Sequence, residues 1–81
     1  MKYRITVTYK SIVCDPEGQI IKSALQKKGY KFIEDVRVGK IFDITIKDGI
    51  DVENEIDKLS REILVNPIVE EFSIALLKEN S

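Results

Sequence analysis

Three kinds of side chain in this sequence have the chemistry to act on a ligand: a lone thiol, a few carboxylates beside strands, and a pair of cations at a predicted turn. Cys14 stands beside a helix start, where the helix dipole favours a thiolate. No histidine exists to pair with it, and a single cysteine between Val13 and Asp15 also reads as a small apolar filler. Glu34-Asp35, Asp43 and Glu70-Glu71 are the carboxylates open to acid-base or metal work. Nothing in their spacing converges them, so a solvated face accounts for them as well. Arg37 and Lys40 flank the predicted turn and suit a phosphate, a docking contact or plain solubility. The absence of histidine removes the commonest general base and the commonest metal ligand together. Glycine-rich phosphate loops, zinc spacings and nucleophile elbows are all missing. The residues therefore predict no catalytic, cofactor-binding or metal site, and favour a binding or assembly module over an enzyme.

Composition narrows the classes further. Apolar residues make up 43% of the 81 and charged residues 33%, which is ordinary globular chemistry. A net charge of −1 and a pI near 5.4 argue against nucleic acid as a partner. That mean hides an asymmetry: residues 1–40 carry nine Lys/Arg against four Asp/Glu, and residues 41–81 carry four against ten. Opposite charge in the two halves suits a surface that steers and registers protein partners, or two helices that are simply solvated. No run of about 18 apolar residues is present, and the first residues read directly as a strand, so neither a membrane helix nor a secretory signal is expected. One unpaired cysteine fits a reducing, cytoplasmic setting. A core this small gives modest stability, which makes self-association, as a dimer or a dimer of dimers, a reasonable expectation.

The elements that must position these residues follow from periodicity. Residues 32–47 alternate on both sides of Val38-Gly39-Lys40, with Glu34, Val36 and Val38 on one side of the first run and Phe42, Ile44 and Ile46 on one side of the second. This predicts an antiparallel hairpin turning at Gly39. Residues 2–9 alternate likewise, with Tyr3, Ile5, Val7 and Tyr9 inward. Asp15-Pro16 predicts a helix start with Asp15 as cap, and Gly29 ends that helix. Gly18, inside the first turn, signals either a late start or the close approach of another backbone or a ligand. Asp48-Gly49 predicts a turn and Asp51 the cap of a second helix, whose apolar face is Val52, Ile56, Leu59, Ile63 and Leu64. Asn66-Pro67 closes it. Val69 to Leu77 alternates again.

The order is β-α-β-β-α-β in a single domain, 1–81. The economical packing is an α+β two-layer sandwich of ferredoxin-like order, with a four-stranded antiparallel sheet and both helices on one face. The bare sheet face, with Arg4, Thr6, Thr8, Asp35, Arg37, Ile41, Thr45, Ser73 and Ala75, is less hydrophilic than full solvation requires, and this points to self-association through it or its edges.

Asp15-Pro16-Glu17-Gly18, Ala24-Leu25, Gly29-Tyr30, Asp35-Val36-Arg37-Val38-Gly39-Lys40 and Leu64-Val65-Asn66-Pro67-Ile68-Val69-Glu70 occur in an order that resembles the PurS subunit of phosphoribosylformylglycinamidine synthase. That resemblance implies a non-catalytic subunit of a glutamine-dependent ligase in de novo purine synthesis. It implies that a PurS dimer bridges a small PurL synthetase and the PurQ glutaminase and supports ammonia transfer between them. ATP, Mg and glutamine are then used by the partner subunits, with no cofactor on this chain. Glu71-Phe72 stands where members often have Asp-Tyr or Asp-Phe, and Cys14 where an aliphatic residue is common. Asp15, Gly18, Asp35, Arg37, Gly39 and Lys40 are the expected assembly contacts. The alternative is a small-molecule-binding domain of the ACT type, which shares the element order and uses a glycine-containing loop after strand one. Acylphosphatase-like hydrolysis ranks last, because residues 10–18 contain no arginine to cradle phosphate.

Overall fold

The computed structural model describes residues 1–47 and 49–77. Three strands, β1 (Lys2–Tyr9), β2 (Gly39–Thr45) and β3 (Glu70–Leu77), form an antiparallel sheet in the order β2-β1-β3. Helix α1 (Pro16–Lys27) follows β1, and α2 (Glu53–Leu59), which runs on into a π-helical turn at Ser60–Leu64, joins β2 to β3. The alternation in β1 does what period two demands: Tyr3, Ile5 and Val7 are buried, while Arg4 points to solvent. Ile5 lies opposite Phe42 on one side and Ile74 on the other, so the middle strand carries the centre of the core. Ile56 and Val65 cap it from the helical layer, with Phe42, Ile44, Leu59, Leu64 and Phe72 packed around them. Each fully buried aliphatic side chain contributes roughly 1.5–3 kcal/mol.

The sheet has three strands among the described residues where the sequence predicts four. Residues 33–38, the expected first arm of the hairpin, pair with no strand of their own chain. Gly39 is not the turn. It is the first residue of β2, already opposite Thr8, and its φ is not positive. A Cβ at Gly39 would lie 2.8 Å from the Val7 carbonyl oxygen and 2.9 Å from Thr8 Cγ2, so close strand approach, not reversal of direction, is what requires glycine.

The second helix also departs from its simple reading. Its cap position is Val52 with no side-chain bond, and Asp51 offers only a 3.4 Å contact to the Glu53 N–H. Beyond Leu59 the backbone widens, and the Val65 N–H reaches the Ser60 carbonyl across five residues at 3.0 Å. This turns Ile63 away from the expected apolar face and leaves it 77% exposed, while the Ser60 hydroxyl goes inside and donates to the Ile56 carbonyl at 2.7 Å. The residues 48 and 78–81 lie outside the described part; of the expected Asp48-Gly49 turn, Gly49 has φ +80°.

Helix α1 starts and stops as predicted. Asp15 caps it, and Gly29 follows it at φ +104°. Only Gly18 within it is buried, and Ile20 is 70% exposed, so α1 does not lie on its own sheet. The radius of gyration is 16.4 Å over extents of 51 × 34 × 13 Å. A compact chain of this length has about 12 Å. Residues 10–38 form an arm on a small sheet-and-helix body.

Candidate functional site: a polar clamp at the root of the arm

The arm leaves the body at Tyr9 and returns at Gly39, and one cluster holds the two crossings together. Asp15 sits at its centre, fully buried. Its Oδ1 accepts from the Gly18 N–H at 2.9 Å, the capping bond that proline at the next position favours. Its Oδ2 accepts from the Val38 N–H at 2.6 Å, a bond to a segment 23 residues away. One carboxylate thus starts a helix and fixes the strand that returns from it.

Gly18 is required by the same contact. The Val36 carbonyl oxygen lies where its Cβ would be, so any side chain there collides with backbone. Of the two readings of Gly18, close backbone approach is the one that holds, and the space a ligand would need is filled by the chain itself. Arg37 completes the cluster from the other side: Nη1 donates to the Val13 carbonyl at 3.1 Å, and Nη2 to those of Lys10 at 3.0 Å and Tyr9 at 3.4 Å. A guanidinium suits this task because its fixed fork can donate to several carbonyls at once. The Val38 N–H first, and then the Gly18 N–H, hold the Asp15 carboxyl below the usual carboxylate range; the Arg37 charge works in the same direction, against burial.

The structure brings together Asp15, Gly18 and Arg37 of the six residues singled out. Gly39 and Lys40 lie next to them on β2, where Lys40 faces Glu70 at 3.6 Å, an exposed pair of small energetic value. Asp35 is exposed on the arm and outside the cluster. The carboxylates Asp43 and Glu70 have partners of their own: Asp43 accepts from Arg4 at 2.9 and 3.0 Å across the sheet, and Glu70 accepts from the Asn66 N–H at 2.7 Å. Most parts of the clamp, among them the Val38 N–H and the Val36 carbonyl, are main-chain atoms. No side-chain pattern announces them, although Gly18 opposite them is the trace they leave. Cys14 is exposed.

A three-stranded α+β body with a clamped, outward arm defines a small structural subunit, in which a buried carboxylate holds main chain in place. Known proteins of similar sequence and shape agree. The chain belongs to the PurS family: the family model, described as phosphoribosylformylglycinamidine (FGAM) synthase, matches residues 2–78. The FGAM synthase subunit PurS of Mycobacterium leprae is 34% identical over 70 residues, covering 86% of this chain and 87% of that one. The crystal structure of Methanocaldococcus jannaschii PurS, one of the subunits of formylglycinamide ribonucleotide amidotransferase in the purine biosynthetic pathway, superposes with a TM-score of 0.85. It is 26% identical and covers 98% of both chains. A chain in the PurLQS structure from Thermotoga maritima superposes with a TM-score of 0.74, is 28% identical, and covers 94% of this chain and 95% of that one.

Proposed function

We propose that this chain is the bridging subunit of an FGAM synthase, joining a PurL-type synthetase to a PurQ-type glutaminase and supporting passage of ammonia between them. The observation that carries this reading is the family match over residues 2–78, together with the likeness to a chain of the Thermotoga PurLQS structure. In such an assembly the chemistry, with ATP, Mg and glutamine, belongs to the partners. This chain supplies shape, charge and registration, and works in the cytoplasm as a single domain. Asp15, Gly18 and Arg37 set the arm at a fixed angle to the body, while Asp35, Lys40 and the lysines of α1 are the polar groups turned outward for a partner. The finer fold in this reading is the four-stranded ferredoxin-like sandwich, with residues 34–38 as the strand that completes the sheet when the chain is assembled.

The test is FGAM formation by the PurL and PurQ of the same source, with and without this chain. Glutamine-dependent synthesis that rises on its addition, with ammonia-dependent synthesis far less affected, supports bridging. No change with either nitrogen source removes it.

A further inference from the structure

We infer that the far end of the helical layer, residues 61–72, is a docking surface for a partner protein that presents an apolar side chain between lysines or arginines. The inference rests on the bridging reading above and deepens it, giving one docking surface of the body and the chemistry of what it meets. Three observations carry it.

The first is a pair of aliphatic side chains held outside by fixed backbone. The π-helical turn at Ser60–Leu64 leaves Ile63 77% exposed, and Ile68, five residues on, is 80% exposed. The chain between and after them is tied down. The Val65 N–H donates to the Ser60 carbonyl, the Ile68 N–H to Asn66 Oδ1 at 3.1 Å, and the Glu70 N–H to the Asn66 carbonyl at 2.8 Å. Glu70 Oε1 accepts from the Asn66 N–H in return. Apolar anchors fixed before binding lose little freedom on binding, so a few of them can centre an interface.

The second is a hollow beside these anchors. Val65, Pro67 and Phe72 give the apolar part of the lining of a cavity of about 280 Å³. Arg61, also in the lining, is held over the Phe72 ring at 5.3 Å and bonded to Asp57 at 2.9 Å. Small-molecule sites run from about 300 to 1,000 Å³. An inserted side chain therefore suits this hollow better than a cofactor does.

The third is charge. Residues 51–71 carry seven Asp/Glu against two Lys/Arg. Glu53, Glu55, Glu62 and Glu71 are exposed and make no ion pair among the described residues, and Arg61 is taken by Asp57. Two copies meeting face to face here would set like charge against like. A different, basic protein surface is the complement.

The experiment titrates the full chain into the PurL and PurQ of the same source, with ATP, Mg and glutamine, and reads the concentration that half-saturates glutamine-dependent FGAM synthesis. Ile63→Asp and Ile68→Asp should each raise that concentration about tenfold or more with the plateau kept, because a charge is then set in an apolar contact. Glu62→Lys with Glu71→Lys should raise it too, by a factor that shrinks as salt is added. These two carboxylates are solvated, so the pair tests the surface even where an aspartate disturbs the π-helical turn. Sedimentation of each variant alone should match the native chain. Half-saturation unchanged in the variants overturns the docking surface and leaves bridging intact. So does a lower plateau without a shift, or a variant whose own mass differs from the native chain's. No stimulation by the native chain removes both readings.

Discussion

At Asp15 one carboxylate does two jobs that most helix caps do not combine, and its replacement separates them. Asp15→Asn keeps an oxygen for the Gly18 N–H but loses the charge-assisted hydrogen bond that the Val38 N–H donates, so the thermal unfolding midpoint at neutral pH should fall by on the order of 5 °C. The sign of the pH dependence follows from the lowered folded pKa. The native chain holds this stability above the ordinary carboxyl value of 3.8 and loses it as pH falls through the lower folded value. The gap between native and variant, followed by circular dichroism, should therefore be constant well above pH 3.8 and narrow as pH falls below it. Gly18 gives a second expectation. Gly18→Ala meets the Val36 carbonyl, which is backbone and cannot rotate away, so a substitution that favours helix elsewhere should cost roughly 1–3 kcal/mol in urea unfolding.

Among the elements, the sequence was most legible where one face is buried within the chain and least where it is not. β1, β3 and α1 stand within a residue or so of their predicted ends because alternation, the Asp-Pro start and Gly29 are local signals. Residues 34–38 carry the same alternation, yet the strand they announce has no partner here; period two reports a half-buried face without saying whose chain buries it. The π-helical turn was illegible for a different reason. Spacing of three and four assumes a constant 3.6 residues per turn, and one widened turn at Ser60–Leu64 moves Ile63 out and Ser60 in. Two substitutions distinguish the registers. Ile56→Ala should destabilise by about 2–5 kcal/mol, and Ile63→Ala by under about 0.5 kcal/mol, in equilibrium unfolding of the isolated chain at one fixed concentration.

For the whole molecule, a body stabilised by five buried core side chains and an arm with almost none makes stability a matter of company. With the self-association expected from the sequence, melting temperature should rise by a few degrees for each tenfold increase in protein concentration, as mass action requires, and scanning calorimetry over two decades checks it. The candidate site was partly legible at this scale. The sequence singled out Asp15, Gly18 and Arg37 from their local types, but their meeting depends on a chain path that no local pattern encodes, and the exposed Arg37 guanidinium also donates to carbonyls of its own chain. The order of the sheet has a consequence of its own. Its middle strand is made first by the ribosome, and β3, one of the two neighbours it needs, is made last. Until Leu77 has left the exit tunnel the sheet lacks one side, while everything the clamp requires has been synthesised by Val38. The nascent chain therefore has the arm's anchorage available long before the body exists, and the sequence-distant pairing of β1 with β3 falls at the end of synthesis.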